Sequence, residues 1–210
     1  MRVVCIHGTE SGGSERHAKR LSKAWGTKVD FDQSKNFMSG NDAASIGLAA
    51  LAEQYDAFVI VSSSYGDGDP PSNFENFLRA LYTADEDVLA GKQHCVLGYG
   101  STDYETFQNC PRLTDKLMGA LGSKRMLARV EVDENETLAG DAAVAKWAKD
   151  VVTAFGKKCT SDVAAWTVPE DQILDKKSDL VGSSGGGLAG PLVALGVAGA
   201  AAAYYYMYLM

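Results

Sequence analysis

The chain has 210 residues, 46% of them hydrophobic and 22% charged, a globular composition that excludes a disordered chain. Its 20 basic and 27 acidic side chains leave a net charge of −7, and so acidic a chain does not seek phosphate backbones, which excludes nucleic acid as an expected partner. Cys5, Cys95, Cys110 and Cys159 form no Cys-x-x-Cys pair, so no metal or dithiol site is expected, and reduced thiols in a cytosol-facing domain are the simple reading.

Met1 leads directly into an apolar run at residues 3–6, with no charged segment ahead of it. No signal or transit peptide is therefore expected, and the run reads as a first strand. It is followed by Gly8-Thr9-Glu10-Ser11-Gly12-Gly13-Ser14-Glu15. Glycines let such a loop turn its N–H groups inward, and the start of the next helix adds positive potential. With hydroxyls on Thr9, Ser11 and Ser14 and no cation inside it, the loop suits a single phosphomonoester. It matches neither the lysine-bearing phosphate loop nor Gly-x-Gly-x-x-Gly. The alternative is a simple capping loop with Ser11 or Ser14 as N-cap.

Ala18, Leu21 and Trp25 share one helical face, and a second strand is expected at residues 29–31. Ala44, Leu48, Leu51 and Tyr55 then space as one helix, and residues 57–61 form a third apolar run. After it comes Ser62-Ser63-Ser64-Tyr65-Gly66-Asp67-Gly68-Asp69-Pro70-Pro71-Ser72-Asn73. An aromatic ring at a strand end beside two glycines can lie on a planar ligand; a Gly/Pro turn entering a helix with Asp69 as cap is the plainer reading. Phe74, Phe77, Leu78, Leu81 and Tyr82 give the helix that follows.

A fourth strand at 95–97 leads into Gly98-Tyr99-Gly100-Ser101-Thr102-Asp103-Tyr104-Glu105-Thr106-Phe107-Gln108. Either tyrosine here could be surface decoration, but two aromatic, glycine-bearing loops beside a phosphate cradle read better as a sandwich around a flat ring. Leu113, Leu117 and Leu121 mark a helix, residues 126–132 a fifth strand, and Val144, Trp147, Val151 and Phe155 a last helix. Five strand–helix units predict an α/β domain over 1–158 with a parallel sheet covered on both faces. Ligands in such sheets bind at the carboxyl ends of the strands, where the three unusual loops lie.

Residues 159–187 carry no sustained period and end in Gly182-Ser183-Ser184-Gly185-Gly186-Gly187. They read as a flexible linker, with Trp166 able to pack back on the domain. The 23 residues 188–210 contain no charge and close on a tyrosine-rich stretch. As a helix they would span roughly 34 Å, enough for a bilayer core of about 30 Å. A single-pass C-terminal transmembrane anchor is expected, against the alternative of an Ala/Gly tail. Lys176 and Lys177 precede it and no basic residue follows, which places the domain on the cytosolic side. A tail anchor of the endoplasmic reticulum is favoured over one of mitochondrial or plastid outer membranes.

With the three loops in view, the chain resembles the flavodoxin-like family, most of all the FMN domains of diflavin reductases. The first loop is similar to their phosphate loop, and Ser-Tyr-Gly-Asp-Gly-Asp-Pro-Pro-Ser-Asn resembles their second flavin loop. Residues 98–108 resemble the third, and 133–144 the acidic segment before the last helix. The resemblance covers residues 1–155 and implies a five-stranded parallel sheet of order 2-1-3-4-5 with FMN at the switch point. It implies that Thr9, Glu10, Ser11, Gly12, Gly13 and Ser14 hold the phosphate. Ser63, Ser64, Tyr65 and Gly66, with Tyr99, Gly100, Ser101, Thr102, Asp103, Tyr104, Glu105, Thr106, Phe107 and Gln108, would line the ring and ribityl chain. Tyr104 matches the stacking tyrosine, Gly66 the glycine whose carbonyl can turn to the reduced ring, and Asp133 lies near the flavin edge. Ser64 stands where Thr is usual and Gln108 where Asn is usual. No catalytic residue is implied. The expected function is an FMN electron carrier between a reductase and an acceptor, docking through acidic side chains to basic partner faces. An FMN-dependent NAD(P)H quinone or metal reductase, or a tethered scaffold without flavin, are the other classes.

Overall fold

In the computed structural model residues 1–157 and 173–182 are described; the remainder of the expected linker, with Trp166, and the expected anchor at 188–210 lie outside them. Among the described residues no helix is long and apolar enough to cross a membrane. The chain runs β1 (Val3–His7), α1 (Gly13–Ser22), β2 (Phe37–Ser39), α2 (Gly40–Ile46), α3 (Leu48–Gln54), β3 (Ala57–Ser63), α4 (Glu75–Thr83), β4 (Gln93–Gly100), α5 (Asn109–Ala120), β5 (Lys124–Arg125), β6 (Val130–Asp133), α6 (Thr137–Ala154) and α7 (Lys177–Val181).

The sheet is parallel throughout, in the order β2-β1-β3-β4-β5, with β6 also on β4. Side chains alternate across each strand, so buried strands supply two cores. Val4, Ile6, Phe58, Ile60 and Val96 face α2, α3, α4 and α5, where Phe74, Phe77, Leu78, Leu81 and Leu113 meet them. Val3, Cys5, Val59, Val61, Cys95 and Leu97 face α1, the short turn after it, and α6, where Ala18, Trp25, Val144, Trp147 and Val151 close the other layer.

Three elements differ from the expected ones. The second strand is at Phe37–Ser39, not 29–31. Asp30 makes a single bridge to Arg2, and then Asp32 folds the chain into a turn. Its carboxylate accepts from the Ser34 amide and hydroxyl, and its own amide donates to Asn36 Oδ1. Pairing with β1 resumes only at Phe37. The helix expected through Ala44 and Tyr55 is broken into α2 and α3 by Gly47 at φ 90°, a backbone setting that glycine adopts without strain. The fifth strand is split. β5 pairs with the start of β4 and β6 with its end, and Arg125 and Arg129, either side of the break, both reach the buried carboxylate of Asp115 at 2.7 Å.

Residues 173–182, expected within the flexible linker, return to the domain. α7 packs on α4, with Ile173 and Leu180 against the first core.

Candidate functional site

β1 lies between β2 and β3, so the chain leaves the sheet in opposite directions after β1 and β3 and opens a crevice there. The first loop is bound to the end of the second. The Thr9 amide donates to Asn73 Oδ1 at 2.8 Å, and the Ser72 amide donates to the Glu10 carboxylate at 2.7 Å. Glu10 thus ties two loops together. Gly8 packs so closely on Phe74 that a Cβ there would sit 2.7 Å from the ring. α1 begins at Gly13, with Gly12 as N-cap at φ 83° and no side-chain cap. Ser11 and Ser14 are therefore not caps. The first-turn amides of α1 have no side-chain cap and stand open to an anion; in the same loop Thr9 and Ser14 are buried, and Ser11 is exposed. Arg16, one turn into α1, brings its guanidinium to within 3.8 Å of where a Gly12 Cβ would lie. It is a cation that the loop's own sequence did not include, legible only from its i+4 position on the helix.

The second and third loops enclose a cleft of about 290 Å³ lined by Ser64, Tyr65, Gly66, Gly100, Ser101, Tyr104, Thr106, Phe107 and Gln108. Tyr65 and Tyr104 border it while 58% and 64% exposed, a large aromatic surface given over to water at one cleft. Residues 65–69 form a tight turn closed by two backbone bonds between Tyr65 and Asp69, of 2.9 and 2.8 Å. Gly66 (φ 49°) and Gly68 (φ 84°) supply the left-handed backbone the turn requires. The Gly66 carbonyl accepts from the Thr106 hydroxyl at 3.3 Å. Ser64 is half-turned from the cleft, its Oγ accepting from the Cys110 amide at 2.9 Å. Ser63 is the last residue of β3, paired with Tyr99.

Of the expected cleft residues, Tyr99 is placed elsewhere. Its neighbours Gly98 and Gly100 face α5, so alternation sends its ring to the other layer, where it stacks on His17 at 4.6 Å. Its hydroxyl is buried without a partner among the described residues, and burial pushes its pKa up to about 12. Asp133, at the end of β6, does not line the cleft either. It accepts from the Thr102 hydroxyl and amide at 2.6 and 3.2 Å and so holds the third loop. Asp103 and Glu105 are exposed on that loop. Gln108 is fully buried at φ 64° and donates from Nε2 to the Val132 carbonyl at 3.2 Å, while its Oε1 has no partner among the described residues. After glycine, Asn adopts this left-handed setting most readily, so the longer Gln108 is held there by its buried contacts.

No side chain here is poised as a nucleophile. Cys5, Cys95 and Cys110 are buried free thiols, and burial pushes their pKa values up, that of Cys110 to about 12. What the site offers is an uncapped helix start with hydroxyls at one end and a tyrosine-bordered cleft at the other, a combination that fits a flat ring carrying a terminal phosphate.

Comparison with known proteins agrees. The flavodoxin family pattern matches residues 6–147. The chain is 26% identical over 180 residues to the NADPH-dependent diflavin oxidoreductase 1 of Xenopus laevis, covering 85% of this chain and 29% of that protein. It is 30% identical over 145 residues to human NADPH–cytochrome P450 reductase, covering 66% of this chain and 20% of that protein. Its fold overlays oxidised flavodoxin 1 from Bacillus cereus with a TM-score of 0.57 at 21% identity, covering 73% of this chain and 98% of that one. The chain therefore belongs to the flavodoxin family. It holds an FMN electron-transfer domain homologous to those of diflavin reductases, with FMN as its cofactor, and it spans less than a third of the length of the two reductases.

Proposed function

We propose that this protein is a one-electron carrier that takes electrons from a separate reductase and delivers them to an acceptor, without turning over NAD(P)H itself. When bound, FMN supplies the redox chemistry. The first-turn amides of α1 with Thr9 and Ser14 hold the phosphate, Tyr104 and Tyr65 cover the ring, and the Thr102–Asp133 bonds keep the third loop in place. The observation that carries the reading is the exposure of both tyrosines beside the cleft. A flavin held in so open a cleft would keep an edge within reach of a docking protein rather than be closed into a substrate chamber.

Around that edge Asp67, Asp103, Glu105, Glu134 and Glu136 are exposed. A negative rim of this kind steers a partner with a basic face and favours brief, salt-sensitive encounters. The uncharged stretch 188–210 anchors the domain to a membrane, with the domain on the cytosolic side and the endoplasmic reticulum as the favoured membrane; its composition and the Lys176-Lys177 pair ahead of it support this. The experiment is to purify the full-length chain in detergent and identify its flavin. It should then be mixed with NADPH alone, and afterwards with NADPH plus a diflavin-type reductase domain and cytochrome c. FMN, no NADPH oxidation alone and cytochrome reduction only with the reductase are expected. NADPH oxidation by the chain alone would make it a reductase instead. Release of the native chain from membranes by alkaline carbonate would overturn the anchor.

A further inference from the structure

The returning segment 173–182 begins beside the second flavin loop and is fastened to it. The Leu174 amide donates to Asn109 Oδ1 at 2.8 Å, and its carbonyl accepts from Asn109 Nδ2 at 3.2 Å. The same Nδ2 donates to the Gly68 carbonyl at 2.9 Å. One buried amide therefore holds both the segment and the Tyr65–Asp69 turn. Lys176 is only 8% exposed, and its ammonium lies 2.8 Å from Asp69 Oδ1. Asp69 is the residue that closes the turn on Tyr65.

The segment is gripped from its other side by α4. The Tyr82 hydroxyl donates to Asp175 at 2.7 Å and accepts from the Lys176 amide at 3.1 Å, and Arg79 Nε donates to the Leu180 carbonyl at 2.7 Å. A buried ammonium is costly without its counter-charge; Asp69 is the nearer carboxylate, at 2.8 Å, with Asp179 of the segment itself at 3.8 Å, so the pair with Asp69 favours a docked Lys176 when the turn keeps its present shape. Conversely, a five-residue turn with two left-handed glycines has wide conformational freedom of its own. The segment removes that freedom at the turn that carries Tyr65 into the cleft.

We propose that residues 173–181 are a positioning element of the flavin site: Lys176 and Asn109 hold the Tyr65–Asp69 turn in the shape that receives the ring, so that docking of the segment and binding of flavin favour each other. The inference rests on the FMN reading of the cleft. It makes the second loop answer to the chain that leads toward the uncharged stretch, and by linkage a ligand in the cleft tightens the segment by the same factor.

The test uses the full-length chain and its variants Lys176→Ala, Lys176→Arg and Tyr82→Phe. Backbone amide exchange across 65–69 is measured without flavin, and FMN and riboflavin affinities are then measured by fluorescence quenching. Lys176→Ala should speed exchange across 65–69 and weaken both flavins alike, by roughly five- to tenfold, an ordinary coupling between two sites. Lys176→Arg, which keeps the cation, should retain most of the affinity. Tyr82→Phe touches neither cleft nor turn, yet should shift both readouts the same way by less. Unchanged exchange and affinities in Lys176→Ala and Tyr82→Phe would overturn the proposal, as would a loss confined to FMN, which would point to the phosphate end. If the parent chain binds neither flavin, the FMN reading fails instead, and the exchange data alone decide whether segment and turn are coupled.

Discussion

Thr102 and Asp133 meet through both hydroxyl and amide of the threonine, at 2.6 and 3.2 Å, and join the third loop to the end of β6. The Thr102 hydroxyl, with the Asn135 amide, holds the Asp133 carboxyl below its ordinary pKa. A depressed carboxylate stabilises the fold above its unfolded pKa, about 3.9, and loses that contribution as pH falls through the lower folded value. The third loop should therefore stay closed at neutral pH and loosen only in acid. Asp133→Ala should open it at pH 7, seen as faster amide exchange at 101–106 and equal weakening of FMN and riboflavin. If the FMN affinity of the variant keeps the pH profile of the parent, Asp133 does not hold the loop.

Tyr104 is 64% exposed and borders the cleft. Tyr104→Ala should raise the fluorescence of bound flavin and weaken binding by roughly 0.5–1.5 kcal/mol beyond lost burial. Tyr99→Ala, by contrast, should leave flavin fluorescence unchanged and cost stability, since the Tyr99 ring stacks on His17 in the opposite layer. The reverse pattern would exchange the two roles.

The distinction between these tyrosines shows what the residues alone disclose. The three loops and the strands β1, β3 and β4 were legible because apolar runs and glycine clusters are local signals. Tyr99 and Tyr104 sit in one stretch of sequence, yet Tyr99 is still in β4, whose alternation turns its ring to His17, while Tyr104 lies beyond the strand at the cleft. The split of β5 from β6 leaves no mark in the apolar pattern, because Arg125 and Arg129 reach back to Asp115 on the preceding helix through polar contacts that carry no period. Lys176 had no local signal either: its partner Asp69 lies more than a hundred residues away. Polar tethers of this kind leave no period.

Thr9 and Ser14 offer hydroxyls at the uncapped start of α1. Replacing them together, Thr9→Val with Ser14→Ala, should weaken FMN by about 1.5–3 kcal/mol per phosphate hydrogen bond lost. Riboflavin has no phosphate and should bind almost as before. Parallel losses for the two ligands in titration would place the phosphate away from α1.

Asp115 is the centre of a buried cluster: His94 Nε2 lies 3.0 Å from one carboxylate oxygen, Arg125 2.7 Å from the same one and Arg129 2.7 Å from the other. Burial opposes its ionisation, but the His94 hydrogen bond and the charges of His94, Arg125 and Arg129 outweigh it, and its pKa is lowered. Asp115→Ala removes the carboxylate that Arg125 and Arg129 share, although Arg129 keeps Glu131 at 2.8 Å, and should cost about 3 kcal/mol in denaturant unfolding. The stabilisation is complete above the unfolded value of about 3.9 and is lost as pH falls through the folded one. An Asp115→Ala curve that overlays the parent at pH 7 would show the cluster to be energetically neutral.

The acidic rim sets the last expectation. Asp67, Asp103 and Glu105 are exposed on the two loops that form the cleft, and no basic residue lies in either loop. Opposite charges on two proteins raise the rate of encounter far more than they change the final contact, and salt screens the attraction over about 10 Å at 0.1 M. The full-length chain, reduced chemically and mixed with cytochrome c as a basic one-electron acceptor, should transfer electrons more slowly as salt rises. Asp103→Lys with Glu105→Lys should slow the reaction at low salt and flatten its salt dependence. The spectrum of bound FMN should not change, because neither side chain lines the cleft. At high salt the two proteins should converge, since only steering has been removed. A rate that stays equal to the parent's at low salt would mean that partners approach the ring edge from another face.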